Sequence, residues 1–330
     1  MAVITNTLQS TSAVGNREEI SDVVDRITPE DTPMYTAMAK GKTASTNPKW
    51  EIDVIRPPAA NAQLEGDIYS FNGITPPAKV GNQTQIFRDS WIISKTQEAV
   101  DNVGRVEKQA EAKIKTGIAL RKDVELAILS NSASVAGNTR ISGGLPSWLT
   151  TNVSRGAGGA NGGYSSGSGL TVAETTGTQR AMTKAQFDSV MQQVFNSGGR
   201  VNDVQVSPYN KSVFVTFMSD TNVATQRHAV EAGGKQTIIA TADIYEGPYG
   251  KVTVTPNRVM ASSAAVARRA YFNDYDRLEW LWLRPLQEDP DVHVNADAEA
   301  GVIIGEGTLK VTNEAGLGVI ADLFGLTAAS

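Results

Sequence analysis

Two proline pairs, Pro57-Pro58 and Pro76-Pro77, do most to limit what this chain can fold into. Before the first pair, Trp50, Ile52 and Val54 alternate with polar residues, the pattern of a half-buried strand. After the second pair, residues 83–94 return as a β-rich run. The polar stretch between, residues 59–77, carries Gly66 and Gly73 and is too long for an ordinary hairpin loop. A chain that spends this many residues outside its own core needs a use for them. An arm that reaches over a neighbouring copy is one such use.

The rest of the chain is built to fold. Its 330 residues suggest about two domains, and 40% hydrophobic content suits a sizeable core. There is no cysteine, so disulfides, thiolate metal sites and cysteine nucleophiles are excluded. The formal net charge of -5 argues against a protein whose main task is gripping phosphates. No apolar run reaches membrane-spanning length, and residues 1–16 lack the basic and apolar regions of a signal peptide.

Periodicity sketches the elements. Residues 17–27 place Ile20, Val23, Val24 and Ile27 on one face, an arm with a short helix that Pro29 and Pro33 end. Residues 97–130 predict one helix about 50 Å long, with Val103, Val106, Ala110, Ile114, Ile118, Val124 and Ile128 near one face. Glu111 and Lys115 form an i,i+4 pair with the acid leading. Residues 155–169 are a Gly/Ser tract, expected to be a flexible surface loop or domain boundary.

Thr183 is placed to cap a helix over 185–196 that Gly198-Gly199 end. Strands are expected at 204–206, 237–242, 252–255, 278–283, 302–304 and 308–312, and a helix from Pro208. This is an α+β arrangement.

The search for catalytic chemistry gives little. Gly163, Ser165 and Gly167 match a nucleophile elbow in letters, but inside a Gly/Ser tract and without the strand and helix that motif needs. Asp289, Asp291 and His293 lie close together, yet Pro290 favours a solvated turn over a metal site. His228 has no ligand-like partner at helical spacing, and Gly233-Gly234-Lys235 lacks the upstream glycine of a phosphate loop. Tyr271, Phe272, Tyr275, Trp280 and Trp282 are read as core or subunit interface. No catalytic, cofactor-binding or metal residue is assigned.

The order of motifs, more than any one of them, resembles the major capsid proteins of tailed bacteriophages. Residues 18–55 carry an acidic short helix, the step from Pro29 through Asp31 and Thr32 to Pro33, and Trp50 opening a strand. Residues 80–129 hold Gly81-Asn82, Thr84-Gln85-Ile86, Gly104-Arg105 and Arg121-Lys122-Asp123. Gly144-Leu145 and Trp148 continue the pattern. Glu306-Gly307-Thr308-Leu309 and Asn313-Glu314-Ala315 close it. Residues 291–300 depart from it, being less basic than the family pattern.

The resemblance implies a Hong Kong 97-like capsid fold and no enzyme. It divides the chain into an N-terminal arm (1–46), an extended loop with flanking strands (47–93), a peripheral domain with a spine helix (94–152), an axial domain with the Gly-rich loop (153–266), and return strands (267–330). The implied function is self-assembly into hexamers and pentamers of an icosahedral shell around double-stranded DNA, in a virion assembled in the host bacterial cytoplasm. Partners would be further copies, with scaffold, portal and decoration proteins, DNA by proximity, no membrane and no cofactor.

Asn61, Leu64, Tyr69, Phe71 and Ile74 are expected at the loop tip on a neighbour, and Gly198, Gly199, Tyr245 and Tyr249 in loops near the capsomer axis. Some members of the fold cross-link through Lys–Asn bonds; Lys79 and Asn82 lie near the loop, and are read as plain surface residues. An encapsulin-like compartment shares the fold, and a tail or decoration protein is a more distant alternative.

Overall fold

The computed structural model describes residues 28–68, 71–100, 108–217, 228–230, 236–238, 243–294 and 296–328. The expected arm helix at 17–27, Tyr69, and the helix positions Val103 and Val106 lie outside the described residues.

In chain order, helix α1 (Pro33–Ala37) precedes strands β1 (Ala39–Lys42), β2 (Lys49–Ile52), β3 (Ala78–Gly81) and β4 (Gln85–Ser94). Helices α2 (Lys95–Ala99) and α3 (Lys108–Leu129) follow. Next come β5 (Val153–Ser154), β6 (Gly163–Ser165), β7 (Leu170–Val172), α4 (Lys184–Asn196), β8 (Asp203–Val206) and α5 (Pro208–Thr216). The last part holds β9 (His228–Val230), β10 (Gln236–Ile238), β11 (Ile244–Gly247), β12 (Gly250–Pro256), α6 (Ala264–Ala267), β13 (Ala270–Asn273), β14 (Leu278–Glu288), β15 (Ala298–Val311) and β16 (Gly318–Ile320).

Two sheets organise these elements. One has the order β1-β14-β15-β4, with β1 parallel to β14 and the other pairs antiparallel. Helix α3 lies on one face of it, and Leu120 and Val124 share a core with Phe87, Ile303 and Trp280. The other sheet has the order β11-β12-β8-β13-β16-β5 and is covered on both faces. Strand alternation divides its side chains: Tyr271 and Val319 join the first core, while Ala270, Phe272 and Ile320 join a second core with Phe187, Val190 and Val194 of α4. The five aromatics read as core or interface sit inside this packing, with Tyr271, Phe272 and Trp280 fully buried.

Helix α4 matches the sequence expectation, because its ends are written locally. The Thr183 hydroxyl accepts the Gln186 N–H, and the Gln186 side chain accepts the Thr183 N–H. Gly198, at φ 84°, supplies the left-handed turn that stops it.

The single helix expected over 97–130 is not formed. Val100 is extended at φ -81°, ψ 138° and ends α2. The residues that follow it, Asp101, Asn102 and Gly104, are poor helix formers. The 22 residues of α3 span about 33 Å. Its buried stripe matches the expected one at Val124 and Ile128, but in the first half Ala110 and Ile114 are exposed and Thr116 and Leu120 are buried instead. The first half of the helix meets the sheet through polar reach instead, with Gln109 bonded to Glu299 and Lys113 to Glu288. The Glu111–Lys115 ion pair forms at 2.6 Å.

The partner of β2 also differs from expectation. β2 pairs antiparallel with β3, Trp50 opposite Val80, and not with residues 83–94, which form β4 in the other sheet. The two strands expected at 302–304 and 308–312 are one, β15. Gly305 and Gly307 interrupt the apolar pattern without breaking the strand, because Leu286 and Trp280 occupy the space a side chain would need.

The Gly/Ser tract is not a loose loop. β6 within it pairs with β7 just after it, and Ala160 bridges Thr175. Asp322 accepts the Gly156 N–H at 3.0 Å and the Gly177 N–H at 2.8 Å. The buried Glu174 carboxylate holds Arg155 and, at 2.5 Å, Arg269. Composition signals flexibility here, but distant charged partners pin the segment.

Candidate assembly interface

The root of the extended loop is fixed by chemistry that the sequence places far apart. Trp50 Nε1 donates to the Val311 carbonyl at 2.9 Å. Its ring stacks on Trp148 at 5.5 Å, and Trp148 stacks on Tyr164 at 5.9 Å. On the returning side Asn82 is buried, correcting its reading as a surface residue. Its Nδ2 donates to the carbonyls of Leu309 at 2.8 Å and Gly143 at 3.1 Å, and its Oδ1 accepts the Gly143 N–H at 2.8 Å. An amide so committed turns the chain from β3 into β4 and is not presented to a lysine of another copy.

Two residues on, the Thr84 hydroxyl donates to Glu306 at 2.6 Å, and the same carboxylate receives Arg140 at 2.6 Å and Arg284 at 3.2 Å. Burial alone would raise the Glu306 pKa; the Thr84 and Arg140 hydrogen bonds and both guanidinium charges hold it below the ordinary glutamate value.

Beyond this root the chain carries apolar side chains with nothing over them. Val54, Ile55, Leu64, Ile68, Phe71 and Ile74 are all solvent-facing, from 78% exposed at Leu64 to 96% at Ile74. Asn61 is exposed as well, its side-chain oxygen accepting from Gln63 Nε2 at 2.8 Å. Leu64, Phe71 and Ile74 are thus exposed in this monomer. Isolated exposed apolar residues are ordinary, whereas a group of them on one extension is not.

The other expected positions gather around α4. Gly198 N–H donates to the Phe195 carbonyl at 3.0 Å, and the Phe195 ring lies 5.7 Å from that of Tyr249. Phe195 is exposed, and nothing in its sequence context singled it out. Gly199 is needed for close approach, since a side chain there would meet the Gly316 carbonyl at 2.6 Å. Tyr245 turns inward: its ring packs on Phe187 at 5.0 Å and its hydroxyl donates to Asp188. Burial, and then the Asp188 carboxylate it bonds, raise its pKa.

Ser165 lies in the β6–β7 hairpin, where Ser168 N–H points to its hydroxyl at 3.5 Å, and the next element is a strand instead of the helix a nucleophile elbow needs. Asp289 accepts the Asp291 N–H at 3.2 Å, as in a turn. Among the described residues no three His, Asp or Glu side chains gather to hold a metal ion, and no helix is long and apolar enough to cross a membrane.

The profile of the SU10 major capsid proteins matches residues 3–324. The chain belongs to the SU10 major capsid protein family. It is a structural protein of the phage capsid and not an enzyme. No curated protein sequence matches it.

Solved structures show the same fold at low identity. A chain of the cyanophage A-1(L) capsid asymmetric unit superposes with TM-score 0.63 at 11% identity, covering 96% of this chain and 100% of that one. A chain from Mycobacterium phage Bobi gives 0.61 at 10%, covering 96% and 98%. A chain from the capsid of the native GTA particle gives 0.55 at 11%, covering 94% and 97%. The capsid fold therefore persists where nearly nine residues in ten differ.

Proposed function

We propose that this capsid protein assembles into hexamers and pentamers of an icosahedral shell around double-stranded DNA, in the Hong Kong 97-like arrangement. Residues 47–93 act as the extended loop that lies on the adjacent subunit, and 1–46 as the arm. The β1-β14-β15-β4 sheet with α3 serves as the peripheral domain, and the six-stranded sheet with α4 and α5 as the axial one. Scaffold, portal and decoration proteins are the expected partners, and assembly takes place in the host bacterial cytoplasm.

The observation that carries this reading is the contrast within the loop. Its root is locked by Trp50, Asn82 and Thr84, while its tip presents Phe71 and Ile74 to solvent. A rigid root with a bare apolar tip suits docking on another copy, because the root holds the tip in place before contact. Head-to-tail contacts of this kind close into rings, and many weak contacts per subunit add up to a stable shell. The net charge of -5 suits a wall that lies beside DNA without trapping it.

The double substitution Phe71→Ser and Ile74→Ser tests the reading. Native protein should sediment as large particles and the variant as small species, with both unfolding at the same temperature. Particles of equal yield from the variant would refute the role given to the loop tip.

A further inference from the structure

The chain contains two Asn-Gly dipeptides, Asn72-Gly73 and Asn161-Gly162, and the structure treats them in opposite ways. In such a pair the main-chain nitrogen of the glycine can attack the asparagine side-chain carbonyl carbon. The glycine nitrogen gives up its proton to solvent, the side-chain amide C–N bond breaks, ammonia leaves with a proton taken from solvent in exchange, and a five-membered succinimide remains. Water adds across one imide C–N bond or the other, giving aspartate or isoaspartate. No oxidant, metal or enzyme is required. The reaction needs a side-chain amide free to turn and a backbone free to bring the following nitrogen to it.

Asn161 meets neither condition. Its Nδ2 donates to the Thr150 carbonyl at 2.8 Å, and its Oδ1 accepts from Arg155 Nε at 2.5 Å. Gly162 is hemmed in by the backbone of Val172 and Glu174. Asn72 meets both. It is exposed, no described partner holds its amide, and no atom lies within 4 Å of where a Gly73 side chain would begin.

We propose that Asn72 is a spontaneous deamidation site, open in the free subunit and closed once the loop tip is covered in the shell. The second half rests on the assembly reading above; the first does not. The position gives the reaction a consequence. Asn72 lies between Phe71 and Ile74, the most exposed apolar residues of the loop. Deamidation puts a carboxylate between them, and the isoaspartate product also adds a methylene to the main chain. Subunits that wait unassembled therefore lose competence with time.

Peptide mapping by mass spectrometry of the purified full chain, incubated at mildly alkaline pH as free subunits and as assembled particles, tests both halves. In free subunits, Asn72 should convert at least several-fold faster than Asn161, and Gly73→Ala should slow it by a comparable factor. Equal rates at the two asparagines would overturn the site. In particles, conversion at Asn72 should fall several-fold. An unchanged rate there would overturn the covering while leaving the site itself intact. Asn72→Asp, which mimics one product, should lower particle yield without changing the unfolding temperature; full yield would overturn the loss of competence.

Discussion

Asn257 donates its side-chain N–H to Glu125 Oε1 at 2.6 Å, joining the turn after β12 to the C-terminal part of α3. The same carboxylate accepts the Met34 N–H at 3.0 Å and the Tyr35 N–H at 2.6 Å. One buried side chain thus ties α3 to α1. Glu125→Ala would strand three donors in a dry site and should destabilise the subunit by about 3 kcal/mol. Urea unfolding measures the loss, and protease cleavage near residues 33–42 should appear at lower denaturant than in the native protein.

Glu306 makes a pH-dependent contribution. Its pKa is lowered in the folded protein, so its stabilisation is complete above the ordinary glutamate value and fades as pH falls through the folded one. Glu306→Gln should cost about 2 kcal/mol at neutral pH and progressively less in acid. Glu125 has the opposite sign. Burial raises its pKa against the Tyr35, Asn257 and Met34 bonds, so its ionised form opposes folding above the folded pKa, and that penalty is relieved as pH falls. Unfolding curves across the acid range for the two glutamine variants should therefore diverge from the native curve in opposite directions.

Gly307 is a packing requirement. A side chain there would lie 2.6 Å from Trp280 Nε1 and 3.0 Å from the Leu281 carbonyl. Gly307→Ala should cost about 2–3 kcal/mol. Gly66, at φ 81° but in open space, should tolerate alanine at a cost of about 1 kcal/mol, set by backbone strain alone. Thermal unfolding of the two variants separates crowding from strain.

The Glu174 pair with Arg155 and Arg269 is buried on all sides. Glu174→Gln removes the carboxylate that both guanidinium groups pair with, leaving Arg269 the weaker influence of Asp322, and should cost about 3–5 kcal/mol. The β6–β7 hairpin should then become the first site of limited proteolysis. Cleavage elsewhere first would show that these charges do not pin the segment.

Some features were legible because they are local. The capping box of Thr183 with Gln186 and the stop at Gly198 are written within a few residues of each other, and α4 follows. The exposed loop was legible because proline pairs and missing apolar periodicity are local too. What was hidden depends on distance. The polar contacts of the first half of α3 go to Glu288 and Glu299, far along the chain. Asn82 looks like a surface residue until Gly143 and Leu309 close around it. The Gly/Ser tract is ordered by Glu174, Arg269 and Asp322, none of which its own composition reveals. Phe195 joins the exposed patch at the end of α4 only because the fold brings Tyr249 beside it.

Electron microscopy of the purified, expressed full chain tests the central claim most directly. The account predicts closed shells, tubes or capsomer rings of one repeating subunit. A persistent monomer, at concentrations where the Phe71 and Ile74 tip is free to meet other copies, would contradict it.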